Sequence, residues 1–168
     1  MDEKAMQRAI VRIAYEILEH NKGADSLCIV GILSRGAVLG KRIAGKLSEL
    51  EKINVPCGTI DITPYRDDIV ADGHVELTDL PFEVRNKRVV LVDDVIFTGR
   101  SSRAAIDALI KRGRPQSIQL AVLIDRGHRE LPIRPDYVGK NLPTARNEIV
   151  KVAVKESDGN DHVAIYTI

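Results

Sequence analysis

The segment from Val89 to Ser102 constrains the chain more than any other. It reads Val-Val-Leu-Val-Asp-Asp-Val-Ile-Phe-Thr-Gly-Arg-Ser-Ser. An apolar run rich in β-branched residues predicts a strand covered on both faces, as in a parallel sheet. The run ends in two adjacent carboxylates, Asp93 and Asp94. Four residues after Asp94 a small polar turn, Thr98-Gly99, opens a helix. Backbone N–H groups of such a turn and a helix N-terminus converge on one anion. The carboxylates suit hydroxyls or a hydrated Mg²⁺ beside that anion. One strand–loop–helix unit can therefore hold a sugar, a metal and a phosphate together.

The rest of the chain supplies matching units. Residues 3–20 carry Ala9, Ile10, Ile13, Ala14, Ile17 and Leu18 at helical spacing, with Gly23 as the expected C-terminal cap. Leu27 to Leu33 reads as a buried strand, Ser34-Arg35-Gly36 as a tight turn, and Val38 to Leu50 as a helix. Val55 to Thr63 reads as a second strand, and Tyr65 to Leu80, charged and poor in apolar residues, as a loop or hairpin. After the strand Arg88 to Val95 come a helix, Ser101 to Arg112, and a strand, Ile118 to Asp125. A charged loop follows from Arg126 to Arg134, then a short strand at Tyr137-Val138. Ile149 to Val154 and His162 to Tyr166 form an expected antiparallel pair. This alternation predicts an α/β fold with a mainly parallel central sheet flanked by helices. In such sheets ligands sit beyond the carboxyl ends of the strands. The loops after Leu33, Val95 and Ile124 each carry a Gly and an Arg.

Size and charge narrow the class. The 168 residues suffice for one domain with a full core. A net charge of +1 does not suggest a generic polyanion binder. Cys28 and Cys57 lie far apart without zinc spacing, and read as reduced thiols of a cytoplasmic protein. No apolar run approaches the ~20 residues of a membrane span. The N-terminus reads as an amphipathic helix rather than a signal segment.

The segment Val89 to Ser101 resembles the phosphoribosyl pyrophosphate (PRPP) signature of type I phosphoribosyltransferases. Three further segments, Asp61 to Asp68, Asp125 to Arg134 and Val138 to Thr144, are similar to the PyrR branch of that family, whose members combine pyrimidine-operon attenuation with uracil phosphoribosyltransferase activity. The resemblance covers nearly the whole chain and implies one phosphoribosyltransferase domain, 1–168, with a small C-terminal hood from about residue 135. The implied reaction converts uracil and PRPP to UMP and pyrophosphate, with Mg²⁺ as cofactor. Asp93 and Asp94 would meet the ribose hydroxyls, directly or through Mg²⁺-bound water. Thr98, Gly99, Arg100, Ser101 and Ser102 would hold the 5′-phosphate. Ser34 and Arg35, where the family usually has Thr-Arg, would take the pyrophosphate, joined by Arg66 from a loop that closes over PRPP. In related enzymes the turn at Ser34 can carry a non-proline cis peptide. The wider PRPP and UMP set is Val90, Leu91, Val92, Val95, Ile96, Phe97, Arg126 and Val150, with backbone groups near Ile149 and Val150 serving the base.

Regulation is implied by the same resemblance. PyrR proteins bind a hairpin in pyrimidine-operon leader mRNA, more tightly with UMP. The implied RNA contacts are Arg12, His128, Arg129 and Arg134, with Arg8 adding charge. The first helix departs from the pattern, since Val11 and Tyr15 stand where Thr and His are common. Pro64 replaces the usual Leu. Three readings stay open: an enzyme that also regulates, an enzyme alone, and a regulator that uses its site as a UMP sensor. A purine phosphoribosyltransferase is disfavoured by the Asp125 to Arg134 segment. A homo-oligomer is implied, a dimer with tetramers or hexamers beyond it.

Overall fold

The structure is a computed structural model that describes residues 1–168. Five strands, β1 (Leu27–Ile32), β2 (Cys57–Ile60), β3 (Arg88–Ile96), β4 (Ser117–Asp125) and β5 (Tyr137–Asn141), form one sheet in the order β2-β1-β3-β4-β5. Every neighbouring pair is parallel. A separate antiparallel pair, β6 (Glu148–Ala153) and β7 (His162–Thr167), makes the hood. β5, expected within the hood, instead completes the central sheet, because its backbone pairs with β4 through Asp125↔Asn141.

The helices α1 (Glu3–Asn21) and α2 (Arg35–Glu51) cover one face, and α3 (Arg100–Ile110) covers the other. A four-residue helix, α4 (Lys155–Asp158), links β6 to β7. Asp2 caps α1 by accepting from the Ala5 N–H at 2.8 Å, which satisfies one of the free donors of the first turn. At the other end Lys22, not Gly23, takes the left-handed cap, and the Gly23 N–H returns to the Leu18 carbonyl. The core follows the expected faces. Ile10, Ile13 and Ile17 of α1 and Leu39, Ile43 and Leu47 of α2 pack on Val90 and Val92, while Ala104, Ala105 and Leu109 of α3 pack on Val89 and Leu91. No helix is long and apolar enough to cross a membrane.

The strand order places the site. From β1 the sheet grows towards β2 on one side and towards β3, β4 and β5 on the other. The crevice beyond β1 and β3 is the topological switch point, where ligands of open α/β sheets bind. The turns after β1 and β3 both open there. Two glycines let α2 start close to the sheet. A Cβ on Gly36 would stand 2.5 Å from the Val92 carbonyl oxygen, and one on Gly31 would stand 2.5 Å from the Gly36 carbonyl oxygen. The N-terminus of α2 thus lies against the carboxyl end of β3.

Candidate functional site

The turn after β1 is shorter than the sequence suggested. Ser34 is the N-cap of α2, and Arg35 and Gly36 already belong to the helix. The Leu33–Ser34 peptide is cis. Arg35 donates from Nε and from an Nη to the Asp158 carboxylate of α4, at 3.2 and 2.8 Å. That hydrogen-bonded pair holds Arg35 above and Asp158 below their ordinary pKa values.

Asp93 and Asp94 are not equivalent. Asp93 is buried against α2, with only 8% of its surface exposed, whereas Asp94 lines a cavity with Arg35. Burial, followed by the charge of Asp94, pushes the Asp93 carboxyl well above the usual carboxylate range. Each accepts the N–H of the next residue, Asp94 N–H to Asp93 Oδ1 at 2.9 Å and Val95 N–H to Asp94 Oδ1 at 2.8 Å. Strict alternation would send the two side chains to opposite faces. Val92 and Val95, three residues apart, nevertheless join the same hydrophobic cluster, so the alternation is interrupted at the carboxylates.

The phosphate-type loop runs from Phe97 to the start of α3. Gly99 caps the helix at φ 92°, a conformation that favours glycine. The Thr98 hydroxyl accepts from the Arg100 N–H at 3.3 Å, and the Thr98 carbonyl is fixed by the Glu130 and Leu131 N–H groups. A cavity of about 310 Å³ lies between Val95–Ser102 and residues Arg66, Asp67 and Asp68. Ser101 is exposed and Ser102 buried. Arg100 is paired with Asp67 at 2.6 Å and Glu130 at 3.3 Å, and Arg66 with Asp68 at 2.5 Å.

A second cavity, about 500 Å³, joins Arg35 and Asp94 to the hood through Val150, Lys151, Asp158, Asn160 and His162. Sequence reasoning included Val150 and the backbone near Ile149 but not Lys151, Asp158, Asn160 or His162. An acidic cluster, Glu156, Asp158 and Asp161, was the available signal, and its partners lie more than a hundred residues away on α2. Val90, Leu91 and Val92 are buried in β3 and line neither cavity.

Arg126 also falls outside both cavities. It is buried, stacks 4.0 Å over the Phe97 ring, and donates to the Thr144 hydroxyl and the Ala145 and Glu148 carbonyls. It ties the loop before α3 to the segment that leads into the hood. The neighbouring His128 and Arg129 are likewise engaged within the fold. His128 meets the Thr144 carbonyl at 2.5 Å, and Arg129 pairs with Asp125 and donates to the Phe97 carbonyl, both at 2.8 Å. Arg12 donates to the Val138 and Gly139 carbonyls of β5. Arg8 and Arg134 are exposed, and Tyr15 is 54% exposed beside Arg8, Val11 and Arg12 along an open groove of α1.

Sequence reasoning missed the anchor of the loop after β2. Asp61 accepts from the Thr63 N–H and the Leu77 N–H, both at 3.0 Å, and meets His74 Nε2 at 2.6 Å. Burial opposes its ionisation, but the bonds from His74, Thr63 and Leu77 outweigh burial and hold the carboxyl well below the usual range. Pro64 occupies the first turn of a 3-10 helix, Thr63–Tyr65, where a missing N–H leaves no bond unmade.

Comparison with known proteins places this geometry. The family model described as "Phosphoribosyl transferase domain" matches residues 1–157. The chain is 57% identical over 164 residues to the "Bifunctional protein PyrR" of Deinococcus radiodurans, covering 96% of this chain and 90% of that protein. It is 56% identical over 169 residues to the Bifunctional protein PyrR of Thermus aquaticus, covering 99% and 93%. Among solved structures, the hypoxanthine phosphoribosyltransferase of Trypanosoma cruzi superposes with a TM-score of 0.75 at 19% identity, covering 99% of this chain and 94% of that one. At that identity the likeness speaks for the fold alone.

Proposed function

This chain belongs to the phosphoribosyltransferase family and, within it, to the PyrR proteins, and from that premise we propose that it transfers the phosphoribosyl group of PRPP to uracil and regulates pyrimidine genes through their leader mRNA. One observation carries the enzymatic half. Asp94 lines one cavity with Arg35 at the start of α2, and the next residue, Val95, lines the other with Thr98–Ser102 at the start of α3. A sugar bearing a phosphate at one end and a pyrophosphate at the other matches that spacing of charges.

In this reading the 5′-phosphate takes the N–H groups around Gly99, with the hydroxyls of Thr98 and Ser101. Arg100 then exchanges Asp67 for phosphate. Asp94 accepts from the ribose hydroxyls, and Asp93 supports it from below. The pyrophosphate takes Arg35, with Arg66 from the loop. Uracil lies towards Val150 and the backbone of β6. The reacting carbon gains positive charge as pyrophosphate departs, and the residues act by orientation and by charge stabilisation.

The acidic pair fits Mg²⁺. No group of three or more His, Cys, Asp or Glu side chains could cage an ion. Mg²⁺ typically keeps several waters and needs only one or two protein carboxylates beside phosphate oxygens. Asp94, which lines the cavity, would hold it through water with Asp93 behind it, and when bound it supplies charge neutralisation to the pyrophosphate.

The test is a Mg²⁺- and PRPP-dependent assay with uracil, hypoxanthine and orotate in parallel. UMP from uracil alone supports the reading, and its absence sinks it. For the regulatory half, exposed Arg8, Tyr15 and Arg134 are the available contacts, while Arg12, His128 and Arg129 would have to leave internal partners. A gel shift with pyrimidine leader RNA, with and without UMP, addresses it. No shift at micromolar protein leaves an enzyme alone. A dimer is the expected assembly.

A further inference from the structure

The hood does more than cover the base. Asp158, at the end of α4, makes a two-pronged ion pair with Arg35, using the Nε edge of the guanidinium. Such a pair fixes the plane of the guanidinium as well as its position. The carboxylate is itself fixed, since Asp158 Oδ2 also accepts the Val154 N–H at 2.8 Å. The hood that carries it is tied down independently. Arg42, two turns along α2 from Arg35, donates to Glu156 at 2.9 and 2.5 Å and to both oxygens of Asp161 at 2.8 Å. Asp161 Oδ1 in turn accepts the Lys155 N–H at 2.7 Å. The second Nη of Arg35 has no partner, and Arg35 lines the cavity shared with Asp94.

We propose that Asp158 is a positioning residue for the pyrophosphate end of the substrate: it holds one edge of Arg35 so that the other edge is presented, already ordered, to pyrophosphate. This deepens the assignment of Arg35 made above and rests on it. An arginine on a free tether loses side-chain entropy when it clamps an anion, and one held in place has already lost it. The pair is partly exposed, with side-chain exposures of 38% and 24%, so its worth lies at the scale of a surface ion pair. The chain therefore uses the hood, which closes the base site, to set the geometry of the leaving-group site.

The sign of the effect separates this role from simple charge. Asp158 is a negative group in a cavity proposed to receive a trianion. If it were only a nearby charge, its removal would tighten pyrophosphate. If it positions Arg35, its removal weakens pyrophosphate despite the lost repulsion. Asp158→Asn is the variant to use, because the amide oxygen can still accept the Val154 N–H and keep α4 capped.

Binding of inorganic pyrophosphate with Mg²⁺, and separately of UMP, should be measured calorimetrically on wild type, Asp158→Asn, Asp158→Glu, Arg35→Gln and the double variant Asp158→Asn/Arg35→Gln. The expected result is about fivefold weaker pyrophosphate binding for Asp158→Asn, partial recovery in Asp158→Glu, and unchanged UMP affinity. KM for PRPP should rise more than kcat falls. In the Arg35→Gln background, Asp158→Asn should add nothing. Tighter or unchanged pyrophosphate binding in Asp158→Asn overturns the proposal. So does an equal loss of UMP binding, which marks a hood that has merely loosened. If Arg35→Gln itself leaves pyrophosphate binding intact, the assignment of Arg35 fails first, and the result is read as that failure.

Discussion

The turn from Asp93 to Ser102 and the loop from Asp61 to Leu80 each contribute a wall of the cavity of about 310 Å³, and they are held in different ways. The first is set by regular backbone. β3 is sandwiched between two clusters, Gly99 turns the chain, and α3 leaves at once. The second has almost no regular structure and hangs on a few polar contacts. Among these are Asp61 with Thr63, His74 and Leu77, Arg103 to the Tyr65 carbonyl at 2.7 Å, Arg100 with Asp67, and Arg112 to Glu76. The first wall is held by packing, the second by polar bonds that water can replace.

This contrast can be broken most sharply at the rigid wall. Asp94→Asn is expected to lower kcat/KM by about two to three orders of magnitude with no loss of melting temperature. Retained turnover would remove Asp94 from the ribose. Gly36→Ala comes next, since its methyl group would stand 2.5 Å from the Val92 carbonyl. A cost of about 1–3 kcal/mol in urea unfolding is expected, with loss of activity as the start of α2 is pushed from β3.

The loop is expected to give smaller and more local effects. Asp61→Ala leaves the Thr63 and Leu77 N–H groups without acceptors, which costs about 1–2 kcal/mol. KM for PRPP should rise while kcat holds, and limited proteolysis should cut near residues 66–76. Because the Asp61 pKa is depressed on folding, its contribution is complete above the unfolded value near 3.8 and fades as pH falls below it. Amide protection in this loop, corrected for intrinsic exchange, should accordingly be steady from neutral pH to about that value, and protection that is lost well above it would remove Asp61 as the anchor.

Asp93 runs in the opposite sense. Its carboxyl is raised on folding, so ionisation costs nothing below the unfolded value and costs progressively more as pH rises towards the folded one. Asp93→Asn should raise the melting temperature by a few degrees at pH 7.5, with the gain vanishing near pH 3, while activity falls. A lower melting temperature at neutral pH would show that the charge is well accommodated.

The two walls were also unequally legible in the sequence. β1 and β3 could be read because a run buried on both faces has a composition no exposed segment shares, and Thr98-Gly99 followed by Ser101 announces a helix start. The residue range of α2 was harder. Ser34-Arg35-Gly36 looks like a turn, and only the close approach permitted by Gly31 and Gly36 lets the helix begin at Arg35. The inequality of Asp93 and Asp94 could not be read from adjacent identical residues, since it comes from α2 lying on one and the cavity on the other. Asp61 and His74 are 13 residues apart without periodic relation, and Arg35 and Asp158 are 123 apart. Arg126, His128 and Arg129 have the composition of a surface patch and became internal braces because Thr144 and Phe97 come to meet them.

The bridge between Thr59 and Asp79 has a consequence for how the protein stays in solution. Thr59 and Asp79 exchange both backbone bonds, at 2.8 and 3.0 Å, on the outer side of β2. β2 is an edge strand, and a bare edge of paired-strand geometry recruits other chains. Residues 77–80 therefore serve as a guard rail for the sheet. A variant in which the whole segment peels away should betray itself first by aggregating.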